Sequence, residues 1–316
     1  MAQTQNQASR ERQIEALKRA LGHDLLGYLQ TPNIVEIMLN PDGELWVDVL
    51  GGTMERVGAI DPVQSRTMIS ACASMLGVVV NPENPILECE LPLDGSRFEA
   101  LIPPLVSRPT FTIRKKALLI FTLWDYVDHG IMTWAQKEAI EVAVRNRENI
   151  LVAGGTGSGK TTLANAILHA VSVLTPEHRI VVIEDTLELQ CSAPNAVFLR
   201  TSINTDMTRL LRATMRLRPD RIVVGEVRDG AALALIKAWN TGHPGGAGTV
   251  HANSAEAALV RVGQLIQEAG VSPVPELIAA AVNVVVFIKR TSMGRIVDEI
   301  VRVNGFENGG FVVANV

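Results

Sequence analysis

The residues Gly154, Gly155, Thr156, Gly157, Ser158, Gly159, Lys160 and Thr161 run in the pattern G-x-x-x-x-G-K-[ST]. They follow an apolar run of Leu151, Val152 and Ala153 and precede a helix-like segment carrying Leu163, Ala166 and Ile167. A flexible linker is also rich in glycine and serine, but it is not wedged between a strand and a helix. Glycines let the backbone curl until successive N–H groups point at one place, and a helix N-terminus adds partial positive charge there. Such a loop grips a polyphosphate. Lys160 has the reach for the β- and γ-phosphates, the Thr161 hydroxyl suits Mg2+, and Thr162 continues the binding turn. ATP and Mg2+ are the ligands this pattern predicts.

Hydrolysis needs a carboxylate near the terminal phosphate. The stretch RPDRIVVGEVRD (218–229) ends an apolar strand with Gly225-Glu226, at the carboxyl edge where α/β sheets bind ligands. Glu226 is placed to orient or deprotonate a water. An Asp usually precedes such a Glu in a Walker B strand; Gly225 stands there instead, which leaves open which carboxylate supports the metal. A second acidic cluster, Glu184, Asp185 and Glu188 in IEDTLEL, also ends a strand. Beside a triphosphate its expected role is positioning of metal and water, although acidic residues also cap helices. In TGHPGGAGTVHANSA (241–255), His251 is expected to sense phosphate through a hydrogen bond, and His243 fits a structural turn equally well. Neither histidine has enough nearby ligands for a metal site.

These groups need a scaffold. The 316 residues suit about two domains. With 29 basic and 33 acidic residues the net charge is −4, so no basic nucleic-acid footprint is visible and no specific nucleic-acid binding is expected. Apolar runs such as ALLIF (117–121) fall short of the roughly 18 to 20 residues a membrane span needs. The N-terminus, MAQTQNQASRERQ, reads as a polar frayed tail rather than a secretory signal, and Cys72, Cys89 and Cys191 as small buried apolar residues in a reducing cytoplasm.

Ile14, Leu17, Leu21 and Leu25 recur at helical steps, Met68, Ala71, Cys72 and Met75 do so again, and 34–49 and 88–104 alternate around turns as hairpins. Residues 1–118 therefore read as a small α+β domain. Residues 119–135 show no clean period and read as a linker. From 136 to 316, short apolar strands at 149–153, 179–184, 221–225, 248–252 and 284–288 alternate with helices, which predicts a mostly parallel α/β sheet.

Taken in order, GGTGSGKTT, IEDTLEL, RPDRIVVGEVRD and TGHPGGAGTVHANSA resemble the Walker A, Asp box, atypical Walker B and His box of the type II and type IV secretion ATPases. The resemblance spans about residues 34–290. It includes GSRFEALIPP and FTIRKK, which are similar to the N-terminal segments whose arginines reach bound nucleotide. The chain lacks the tetracysteine module typical of type II secretion and pilus-assembly members, and it most resembles TrbB-type conjugal-transfer ATPases.

By that resemblance Glu226 is the catalytic glutamate, His251 the nucleotide-state sensor, and Arg97 and Arg114 the N-terminal arginines that touch nucleotide. Lys115 and Lys116 read as solvated. Arg209, Arg212 and Arg216 share one face of an expected helix, as a solvated face or as an inter-subunit finger. The resemblance implies a RecA-like P-loop ATPase domain over residues 136–316 and a cytoplasmic hexameric motor docked on an inner-membrane apparatus, with peripheral membrane association. Three alternatives remain at this point: a nucleic-acid translocase on the same core, a pilus-retraction ATPase, and a regulatory nucleotide-binding module with negligible hydrolysis.

Overall fold

The computed structural model describes residues 2–49, 52–116, 121–202, 204–292 and 294–316, with side chains from Arg10 onward. Its two compact units are Met1–Leu118 and Leu119–Val316.

The first unit opens with α1 (Ala2–Gln30), whose helical path is interrupted at Gly22, φ 77°. Leu17, Leu21, Leu25 and Leu29 are its buried stripe. The stretch read as a frayed tail is helical from Ala2, because its Gln, Ala, Glu and Arg are good helix formers that need no apolar periodicity. Then come β1 (Ile34–Leu39), β2 (Glu44–Val49), β3 (Met54–Ala59), α2 (Pro62–Met75), β4 (Ile86–Glu90), β5 (Arg97–Leu101) and β6 (Thr110–Arg114). They form an antiparallel sheet in the order β3-β2-β1-β6-β5-β4. Ile37, Val47, Phe98 and Ile113 alternate onto the face that packs with the leucines of α1 and with Met68, Ile69 and Cys72 of α2. Burial pushes the Cys72 thiol up to about 12 and does the same to Cys89. Both are packing groups, not nucleophiles.

The second unit contains α3 (Leu123–Asp128), α4 (Trp134–Arg145), β7 (Ile150–Gly154), α5 (Lys160–Leu174), β8 (Ile180–Glu184), β9 (Ala196–Arg200), α6 (Met207–Thr214), β10 (Arg221–Val224), α7 (Ala231–Asn240), β11 (Ala247–His251), α8 (Ala255–Glu268), α9 (Pro275–Ala281), β12 (Val284–Thr291), β13 (Gly294–Glu307) and β14 (Gly310–Asn315). The sheet order is β14-β13-β12-β7-β11-β10-β8-β9. From β12 to β9 every pairing is parallel, and β13 and β14 add an antiparallel edge. One core holds α3, α4 and α5 against the sheet, and another holds α6 to α9. This is the mostly parallel α/β unit, covered on both faces, that strands buried throughout require.

The expected linker 119–135 is not a free connector over its described part. Residues 119 and 120 lie outside the described residues, but Leu123, Tyr126 and Met132 are buried in the core of α4 and α5. α3 is too short to show a period; its start is set by a capping box between Thr122 and Asp125. Among the described residues no helix is long and apolar enough to cross a membrane.

Candidate active site

β7 is fully buried between β11 and β12, so the loop that leaves it is held on both sides. A Cβ on Gly154 would lie 2.4 Å from the Ile288 carbonyl oxygen of β12, which leaves no room for any other residue. Gly157 (φ 69°) and Gly159 (φ 96°), the latter the N-cap of α5, use backbone conformations that favour glycine. Ser158 Oγ donates to the Gly155 carbonyl at 2.9 Å and closes the loop. Lys160 Nζ donates to the same carbonyl at 2.8 Å and stands 3.4 Å from His251 Nδ1. Thr161 and Thr162 lie half-buried in the first turn of α5, and Thr156 is exposed at the loop's crest.

The predicted groups gather along the carboxyl ends of neighbouring strands. His251 is the last residue of β11, in register with Gly154 of β7. Its Nε2 lies 3.2 Å from Glu226 Oε1. Glu226 follows β10, and its other oxygen accepts a bond from Arg228 Nη2. Arg228 Nη1 is 3.8 Å from Asp185 Oδ2, just past β8. The line Lys160, His251, Glu226, Arg228, Asp185 therefore follows the strand order β7-β11-β10-β8. Burial raises the pKa of Glu226, but the Arg228 bond and the charges of Arg228, His251 and Lys160 outweigh it and hold the carboxyl below the ordinary glutamate range. Arg228 is shifted upward, first by its bond to Glu226.

The three carboxylates of the Asp box have different places. Glu184 is buried, and its Oε1 accepts from the backbone N–H groups of Glu188 (3.0 Å) and Leu189 (2.8 Å), so it shapes the turn that carries Asp185 and Glu188. Asp185 and Glu188 remain half-buried and are felt electrostatically by Arg228. Asn165 of α5 ties that turn to the glycine loop: its Nδ2 donates to the Glu188 carbonyl at 3.2 Å and its Oδ1 accepts from Gln190 N at 2.8 Å. Gly225 now has a physical reason. A Cβ there would meet Glu184 Cγ at 2.8 Å, so the buried glutamate occupies the space an Asp at 225 would need.

Other predicted positions differ from expectation or lie apart. Lys115 is not solvated; its Nζ donates to the carbonyls of Tyr28 (3.1 Å) and Thr31 (2.5 Å) at the C-terminal end of α1, and burial lowers its pKa. Lys116 is half-buried. Arg97 and Arg114 are directly paired across β5 and β6 and so share one face of their sheet, where Arg114 also approaches Glu36 at 3.7 Å. All three arginines of the 209–216 stretch are exposed, but α6 ends at Thr214, so Arg216 lies beyond the helix and the expected shared helical face holds only Arg209 and Arg212. His243 sits half-buried in the turn before β11.

Arg228 stands within the Walker B segment but was given no role by the sequence, and Arg295 of β13 lies outside every motif, yet Arg295 Nε donates to the Gly157 carbonyl at 3.3 Å. Arg295 is the second residue of β13, and nothing local in the sequence indicates that this end of the strand meets the loop.

The chain matches the family model "Type II/IV secretion system protein" over residues 28–295. It is 50% identical over 305 residues to the probable conjugal transfer protein TrbB of Sinorhizobium fredii, covering 96% of this chain and 94% of that protein. It is 33% identical over 300 residues to the type IV secretion system protein PtlH of Bordetella pertussis, covering 83% and 87%. The ATPase DotB of Legionella pneumophila has a similar fold, with a TM-score of 0.61 and 19% identity over 86% of this chain and 77% of that one. Four ordered motifs, a parallel sheet that brings them to one edge, and a family match across most of the length agree: the chain belongs to the Type II/IV secretion system protein family.

Proposed function

We propose that the chain is a Mg2+-dependent ATPase that powers a conjugal-transfer type IV secretion apparatus. The observation that carries the chemistry is the continuous polar line Lys160, His251, Glu226, Arg228, Asp185 along four adjacent strand ends, beginning at a phosphate-cradling loop. Backbone N–H groups of the loop and Lys160 hold the phosphates of ATP. Glu226 orients a water and takes its proton as the water oxygen bonds the γ-phosphorus and the bond to the β–γ bridging oxygen breaks, leaving ADP and inorganic phosphate. His251, between Lys160 and Glu226, relates the state of the γ-phosphate to the base.

When bound, Mg2+ neutralises charge on the β- and γ-phosphate oxygens. Thr161 is the residue that would hold it. Among the described residues no three His, Cys, Asp or Glu side chains form a protein cage. Mg2+ suits such a donor set, because it relies on phosphates and water rather than on an all-protein site.

The similarity to conjugal-transfer and type IV secretion proteins supports the biological setting. In this reading the chain works as a hexamer in the cytoplasm, against inner-membrane components of the apparatus. Arg97 and Arg114, paired on one sheet face of the first unit, are the further candidates for nucleotide binding that the family resemblance names. Phosphate release by purified protein, with and without Mg2+, and particle symmetry in ATP test the proposal. Absence of turnover, or a particle without six-fold symmetry, overturns the motor reading.

A further inference from the structure

Arg228 lies two residues past Glu226, with its side chain about half exposed. Its guanidinium nonetheless spans two carboxylates, bonded to Glu226 Oε2 and standing 3.8 Å from Asp185 Oδ2. His251 Nε2 faces the other oxygen of Glu226 at 3.2 Å. The backbone here is pinned on both sides: Gly225 N donates to Ile183 O at 2.9 Å, Val227 N to Thr249 O at 2.8 Å, and Thr249 Oγ1 to Gly225 O at 2.7 Å. Movement in this part of the site therefore belongs to side chains, and Arg228 has two anionic seats within reach of small rotations.

We propose that Arg228 is a positioning residue that exchanges between Glu226 and Asp185, holding the glutamate fixed in one seat and releasing it to accept the proton of water in the other. The inference rests on Glu226 being the base. A carboxylate clamped by a guanidinium is a weak base, so proton acceptance requires release. Asp185 then acts on the reaction through Arg228, and deleting Arg228 erases the effect of deleting Asp185. The charged groups facing Glu226 are Arg228 from its own loop, His251 from β11 and Lys160 from α5; those facing Arg228 are Glu226, Asp185 and Glu188. Without Arg228, burial of Glu226 is opposed only by His251 and Lys160, which moves the acid limb of turnover to higher pH.

The experiment is a double-mutant cycle in the full chain: parent, Arg228→Ala, Asp185→Asn and the double variant. It measures kcat, KM, the pH dependence of kcat, and ATP affinity with a fluorescent analogue in the absence of turnover. Each single change is expected to lower kcat by about tenfold or more with ATP affinity within about twofold of the parent, and the double variant to be no slower than Arg228→Ala. The acid limb moves up in Arg228→Ala, and Arg228→Lys, which keeps the charge but not the fork, restores the limb without restoring kcat. Additive losses, an unmoved acid limb, or lost ATP affinity that accounts for the slower turnover would each overturn the exchange. Glu226→Gln separates the two ideas. If it turns over at the parental rate, the base reading fails and this inference with it; if it is slow while the cycle is additive, only the exchange fails. Should Arg228→Ala not fold, Arg228→Gln carries the same cycle.

Discussion

In the proposed mechanism Lys160 holds phosphate and Glu226 handles water, so their variants should separate. Lys160→Ala removes a ligand contact whose present partners are a loop carbonyl and a histidine. ATP binding or turnover is expected to be lost while the melting temperature holds; normal turnover would remove the phosphate-loop reading. Glu226→Gln keeps the shape but cannot take a proton, so nucleotide affinity should persist while kcat falls by about a hundredfold or more. The pH profile has a definite sign. Since the Glu226 carboxyl is held below the ordinary glutamate range, the base stays ionised across neutral and mildly acidic pH. Activity limited by this group is then lost only as pH falls through that lowered value, and an acid limb above the ordinary glutamate pKa of 4.5 would contradict it.

At the level of elements, the site depends on close approaches that only glycine permits. The β7–α5 loop rests on β12 at Gly154, and the β10 end rests on Glu184 at Gly225. Gly225→Ala forces a methyl against a buried carboxylate that holds the 185–189 turn. It is expected to destabilise the second unit by about 1–3 kcal/mol, as overpacking does, and to disturb the Asp box as well as the Walker B strand. Chemical denaturation together with ATP affinity checks this; an unchanged midpoint would mean that Glu184 yields freely. Gly154→Ala meets a backbone carbonyl at 2.4 Å, which cannot rotate away, and should cost more.

Across the whole molecule, one buried cluster makes stability depend on pH. Arg221, fully buried at the start of β10, donates to His178 Nδ1 at 3.0 Å and to the carbonyls of Gly245 and Val144, both at 2.8 Å. Burial, then the Arg221 charge, lowers the His178 pKa below its ordinary 6.5. A lowered histidine pKa means that the unfolded chain binds the proton first. This contribution to stability is therefore complete above pH 6.5 and is lost as pH falls below it toward the folded value. His178→Gln keeps an acceptor without titrating, so its melting temperature should fall less steeply on acidification than that of the parent. Equal slopes would show that His178 does not carry this dependence. On the same scale, Arg97→Ala and Arg114→Ala are expected to weaken ATP affinity more than ADP affinity, measured separately by calorimetry. Equal losses for both nucleotides would place the arginines away from the γ-phosphate.

The sequence by itself determined the glycine-rich loop between a strand and a helix, the strand ends near Glu184, Glu226 and His251, and the change from an α+β pattern to an alternating α/β one. Those signals are local: glycine spacing, a lysine beside a helix start, and apolar runs that stop at a charged residue. It also carried enough ordered motifs to mark the family. Tertiary structure alone decided which carboxylate does what. Glu184 and Asp185 are adjacent in sequence, but strand alternation sends one into the packing under Gly225 and leaves the other facing Arg228. The short α3 and the strands β9, β13 and β14 were missed because they are brief or only half-buried, and so lack a strong period. Lys115 looked like part of an exposed basic run because nothing local reveals that the end of α1 comes back beside it. Arg228 and Arg295 gain their positions only when distant strands are brought to one edge, and contacts made by that convergence leave no periodic trace along the chain.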